Sequence, residues 1–228
     1  MDRRSYSITY HIKDALVLLF YKLFSFAPLS KRIRIEHFKR NTVAWNNYRA
    51  RFSNDKYIEH QPALTDFAYG KRHNADYNSC EVIAVYNALV SMGIGCNFPE
   101  LIKNFEKRGI TCFGAFGTSP FSLMRYLKAE GFNIKYYNYQ KWLRICTDNS
   151  GLYFEFEEGF DSFILMSYNN ARSIRDMIHT MCITKEDDHY KLHNDYEGAK
   201  CYKTLKAAVD GYMGGRSRMI LIIGIRKK

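Results

Sequence analysis

Cys80 follows a polar, turn-prone run (Asn74, Asp76, Asn78, Ser79). It opens a stretch in which Val82, Ile83, Val85, Tyr86, Leu89 and Val90 recur at helical spacing until Gly93. The spacing predicts a buried helix with Cys80 in its first turn. The free N–H groups and the positive dipole end of a helix stabilise a thiolate and lower its pKa, so Cys80 is a candidate nucleophile. A small buried apolar residue is the commoner role for a cysteine. What sets Cys80 apart lies about a hundred residues downstream.

There His179 sits in a strand-like run, Met177-Ile178-His179-Thr180-Met181-Cys182-Ile183. The charged turn Lys185-Glu186-Asp187-Asp188 and a second strand over 189–194 follow it. In an antiparallel pair, residues whose numbers sum to a constant face each other. A turn centred on Asp187 sets His179 opposite Asp195. A turn centred between Glu186 and Asp187 sets it opposite Asn194, and also brings Met181 to Leu192 and Ile183 to Tyr190, the better apolar match. Either Asn194 or Asp195 could accept the imidazole N–H and hold the ring's orientation and tautomer. Taken singly, His179 reads as a core histidine and Asn194-Asp195 as a strand-end turn. Together with Cys80 they form a Cys-His-Asn/Asp set suited to nucleophilic acyl transfer.

The elements that must position these groups fall in two blocks. Helical patterns come first, over 12–29, 35–52, the Cys80 segment, 98–107 with Pro99 in the first turn, and a helix opened by Ser119-Pro120 and stopped by Gly131. Strand patterns dominate the second half, over 133–139, 162–168, 177–184, 189–194 and 219–225, with one short helix at 203–212. That order predicts an α+β fold with an antiparallel sheet. The irregular stretch 57–71, punctuated by Pro62 and Gly70, divides a basic helical extension (1–60) from the domain that carries the site (61–228). The glycine-rich loop 109–117 lacks a following Lys-Ser/Thr, which argues against phosphate binding.

Composition narrows the function classes. A 46% hydrophobic, 16% aromatic chain of 228 residues is globular, not disordered. Of the net charge of +11, +7 lies in residues 1–60, where twelve Lys/Arg oppose five Asp/Glu. Such an excess fits an acidic partner, an anionic lipid surface or plain solvation, and no zinc spacing or helix-turn-helix pattern accompanies it to suggest nucleic acid. The six cysteines are widely scattered with no C-x-x-C pair, which reads as a reduced, cytoplasmic chain without a bound metal. The apolar run 15–27 is broken by Lys22 and is too short to span a bilayer, but could lie on one.

The order of Cys helix, helical layer, then a sheet bearing His and Asn/Asp resembles the papain-like fold. It is most similar to the bacterial cysteine peptidases that process double-glycine leader peptides, and to their C39-like relatives. The Gly-Thr-Ser-Pro sequence at 117–120, before a helix ending at Gly131, looks like that family's second helical element. The resemblance covers about 70–226 and implies a papain-like fold, a peptide or protein substrate and no cofactor. It also implies a histidine partner about sixteen residues on, which lands on Asp195. An oxyanion-hole Gln is expected six residues before the cysteine, where Asn74 stands; Asn78 is a second candidate for that amide. The chain departs from the family in Ser79-Cys80-Glu81 for Asp-Cys-Gly, in Asn74 for Gln, and in having no transporter membrane domain after it.

Three readings result: a cysteine peptidase or acyl-transfer enzyme, a C39-like module that binds a peptide without cutting it, and a membrane-surface protein acting through residues 12–51.

Overall fold

The computed structural model describes residues 8–25, 28–71, 73–169, 178–195, 200–213 and 218–228. Two long helices, α1 (Ile8–Phe24) and α2 (Lys31–Arg51), lead into a 3-10 turn at Gln61–Ala63 and a small hairpin of β1 (Ala68–Tyr69) and β2 (His73–Asn74). The helical turn α3 (Ala75–Asn78) then runs into α4 (Cys80–Ser91), followed by α5 (Phe98–Arg108) and α6 (Pro120–Ala129). The second half comprises β3 (Asn133–Asn138), α7 (Tyr139–Thr147), α8 (Leu152–Glu158), β4 (Ser162–Tyr168), β5 (His179–Glu186), β6 (His189–His193), β7 (Lys200–Tyr202), α9 (Leu205–Tyr212) and β8 (Arg218–Arg226). The six strands β3 to β8 form one antiparallel sheet in the order β3-β8-β4-β5-β6-β7, so the fold is α+β as the pattern predicts.

Every residue of β4 is buried because both faces of the sheet are covered. On one face Ile164, Met166, Tyr168 and Cys182 pack with Val82, Ile83 and Val85 of α4; on the other, Phe163, Leu165, Met181 and Ile183 pack with Trp142, Phe156 and Val209. Helix α4 is the centre of the first core: all residues from Cys80 to Leu89 are buried, and it lies against β4 and β5. The two short helices α7 and α8 cover the second face through Trp142, Ile145 and Phe156. At nine and seven residues they are too brief for a helical period to announce them.

Helix α2 packs on α5 and shares the α4 core through Ala44 and Tyr48, with Trp45 against Phe67, Tyr86 and Phe98. Asn41, fully buried, donates to the Ala68 carbonyl and accepts from the Ala68 N–H, which ties α2 to β1.

Neither of the two expected β5–β6 registers is found. The pairs are Cys182 with His193, Ile183 with Leu192 and Glu186 with His189, so the turn is the two-residue Asp187-Asp188. Asp187 takes φ 51, the left-handed conformation that a tight hairpin demands and that Asp tolerates better than most residues. The ladder ends at Cys182–His193, and the chain bends away at Asn194, whose φ is 61.

Candidate active site

Cys80 is the first residue of α4, with Ser79 at the cap position, as its pattern predicts. It is only 6% exposed. Thr180, the residue after His179, lies close enough on β5 for its polar groups to favour a Cys80 thiolate, although its buried hydroxyl makes no hydrogen bond. The expected lowering of the thiol pKa is not what the site produces. Burial pushes the Cys80 thiol well above its ordinary range, the neighbouring Glu81 carboxylate pushes the same way, and the Thr180 groups oppose them without reversing the result. Desolvation of a thiolate at a site this closed outweighs the helix end.

Glu81 is itself buried, and burial raises its carboxyl pKa from an ordinary 4.5 to about 7. The backbone N–H of Thr118 donates to its Oε2 at 3.4 Å, which limits that rise. Gly117, at φ +61, lies directly against this carboxyl: a Cβ there would sit 2.8 Å from Oε2.

His179 opens β5, 2% exposed, with Nε2 2.6 Å from the main-chain carbonyl oxygen of Asn194. A carbonyl only accepts, so Nε2 carries the proton and the lone pair of the neutral ring is on Nδ1. Burial lowers the His179 pKa; the Asn194 carbonyl and the Asp195 charge act in the opposite direction without overcoming it. The ring is therefore neutral at pH 7.

The partner of His179 differs from the expected one. It is the backbone of Asn194, not the side chain of Asn194 or Asp195, because the left-handed turn at Asn194 aims its carbonyl at the ring. That turn is pinned on two sides. The Asn194 N–H donates to Glu59 Oε2 at 2.9 Å, and its Nδ2 donates to Gln61 Oε1 at 3.1 Å. Glu59 Oε1 in turn meets His193 Nδ1 at 2.6 Å, and His193 Nε2 meets Thr184 Oγ1 at 2.8 Å. Gln61 Nε2 reaches the Ala75 carbonyl at 3.5 Å, joining this buried network to α3, the turn that precedes Cys80. Asp195 contributes its field to His179 and has a carboxylate oxygen 3.8 Å from Lys200 Nζ.

The two oxyanion candidates are placed differently. Asn78 is buried just ahead of Cys80, and its Nδ2 donates to the Gly114 carbonyl at 2.5 Å. Asn74 is exposed at the end of β2 and lines an open groove with His37, Arg40, Lys71, His73 and Tyr77. The sequence thus points to Cys80, His179 and Asn194 but not to Glu59, Gln61, Glu81, Thr180 or His193. Glu59 and Gln61 stand in an irregular segment where no period marks a role. Glu81 is an acid on an otherwise apolar helix, and that mismatch was the available signal.

Cys182 lies on the α4 face of β5 and Met181 and Ile183 on the other, so strand alternation sets Thr180 toward α4 and His179 on the opposite face, where its ring bonds to the Asn194 carbonyl. Among the described residues no group of three or more His, Cys, Asp or Glu is placed to hold a metal ion. Set against known proteins, the chain matches no family model and no curated protein.

Proposed function

We propose that the protein is a papain-like, cysteine-dependent hydrolase or acyl-transferase acting on a peptide or amide substrate. The observation that carries this reading is the burial of Cys80 at the start of α4 against β5, the strand that His179 opens with its imidazole tautomer fixed by the Asn194 carbonyl. With the His179 ring swung to the α4 side at the end of β5, Cys80 attacks the substrate carbonyl as its S–H proton passes to His179 Nδ1; the C–N bond then breaks and the amine leaves with that proton. Water, or a second amine, attacks the thioester with His179 again as base and releases the thiol. The Cys80 backbone N–H, with an Asn78 amide released from Gly114, stabilises the oxyanion, such donors each lowering the barrier by about 3 kcal/mol.

The raised thiol pKa favours a second reading, a module that seats a peptide without cutting it. Mass spectrometry after incubation with a panel of peptide thioesters and amides separates the two. An acyl adduct on Cys80 that is absent in His179→Ala supports catalysis. Peptide binding with no adduct on Cys80 supports the binding module, and an adduct formed equally without His179 contradicts the assigned base.

A further inference from the structure

Helix α1 packs Val17, Leu18 and Tyr21 inward and turns a second apolar side outward. Asp14 is held by the Arg218 guanidinium (2.5 Å) and the Tyr168 hydroxyl (3.1 Å), and Tyr21 is buried on the same side. On the opposite side Ile12, Leu16, Leu19 and Leu23 are each about half exposed. Their spacing of four, three and four residues confines them to an arc of about 60° at 100° per residue. The patch continues off the helix. Phe24 (51% exposed) meets Phe20 at 5.0 Å between ring centroids, and Phe20 meets Phe116 (38% exposed) at 5.3 Å. Phe113, also exposed, lies near this end under the Lys71 ammonium, 4.6 Å from its ring centroid. An apolar surface built from two separate elements is more than scattered exposure.

The margin of this face is basic. Lys22 is exposed on α1, Lys31 and Arg32 are exposed at the start of α2 with Arg32 paired to the exposed Glu36 at 3.1 Å, and the one acid of α1, Asp14, is turned inward. A second copy seated on this face would bring the same cationic margin against itself, at a Coulombic cost. A surface that is apolar beneath and anionic above satisfies both features. No helix among the described residues is long and apolar enough to cross a membrane.

We propose that the outer face of α1, with Phe113 and Phe116, docks onto the surface of an anionic phospholipid bilayer. The apolar stripe enters the acyl boundary and Lys22, Lys31 and Arg32 meet the headgroups. This attachment is independent of the chemistry at Cys80.

Co-sedimentation of the full chain with vesicles of phosphatidylcholine, alone or with about 30% phosphatidylserine, tests it. At least a tenfold preference for the anionic vesicles is expected. Leu16→Ser with Leu23→Ser should cut binding at least tenfold, and Lys31→Glu with Arg32→Glu should abolish the preference, circular dichroism showing each variant folded. Failure to bind anionic vesicles overturns the proposal, as does binding that survives the Leu16→Ser/Leu23→Ser change. A dimer in sedimentation equilibrium that this same change dissolves, without vesicle binding, assigns the face to self-association instead.

Discussion

Glu81→Gln removes a carboxylate that the fold keeps buried beside the candidate nucleophile. In the native chain the carboxyl titrates at about 7, in the unfolded chain at an ordinary 4.5. The native state therefore holds this proton longer, so its contribution to stability is fully present below about pH 4.5 and is lost as pH rises through about 7. The gap between the two values corresponds to about 3 kcal/mol. Glutamine has no such titration. The stability of Glu81→Gln relative to the parent should thus improve by about 3 kcal/mol between pH 4.5 and 8, or about 6–12 °C in relative Tm for a chain of this size. Thermal unfolding of both proteins across that range reads the difference, and taking the difference cancels the titrations of Glu59 and His179. Parallel curves would refute the assigned burial of Glu81. The same substitution removes an anion that holds the Cys80 thiol neutral, so Cys80 should alkylate faster in the variant at pH 8.

Gly117→Ala should destabilise by about 1–3 kcal/mol, because it places a Cβ against the Glu81 carboxyl at a positive φ; urea unfolding measures it. Gln61→Ala should cost about 1–2 kcal/mol through the buried Asn194 amide it leaves unpaired, and should alter the pH dependence of the His179 ring in NMR titration because the Asn194 carbonyl is then less firmly held. Burial of Glu59 disfavours its ionisation, yet the His193 hydrogen bond and charge and the Asn194 N–H hold its pKa below the ordinary range. Its contribution is thus present above the unfolded carboxyl pKa and lost as pH falls through the lower folded one. Glu59→Gln should accordingly destabilise at neutral pH and by less in acid, again by urea unfolding.

Strong periods made most of the architecture legible. The apolar run of α4, the Pro120 start of α6 and the fully buried β4 all stand where their patterns place them. What escaped reading depends on single backbone torsions or on unpatterned segments. Asp187 takes a left-handed conformation, and that one residue moves the hairpin register away from both apolar matches. Asn194 does the same and replaces a side-chain contact to His179 with a carbonyl one. Glu59 and Gln61, which hold Asn194 in that turn, come from a stretch about 120 residues away from His179 with no repeat to mark it. The thiol pKa departs from the expectation because a helix start is visible in sequence, whereas the completeness of burial around it is not.

The central claim is that neutral His179 serves as base for Cys80. The most direct test is the rate at which a peptide vinyl sulfone modifies Cys80 as a function of pH, in the parent and in His179→Ala, with Cys96 as the internal control. Since burial lowers the His179 pKa, the parent rate should rise through a value below 6.5 and level off by neutral pH. It should fall by about 100-fold or more in the variant, while Cys96 is unchanged. Equal Cys80 rates in the two proteins, with both folded, would contradict the claim.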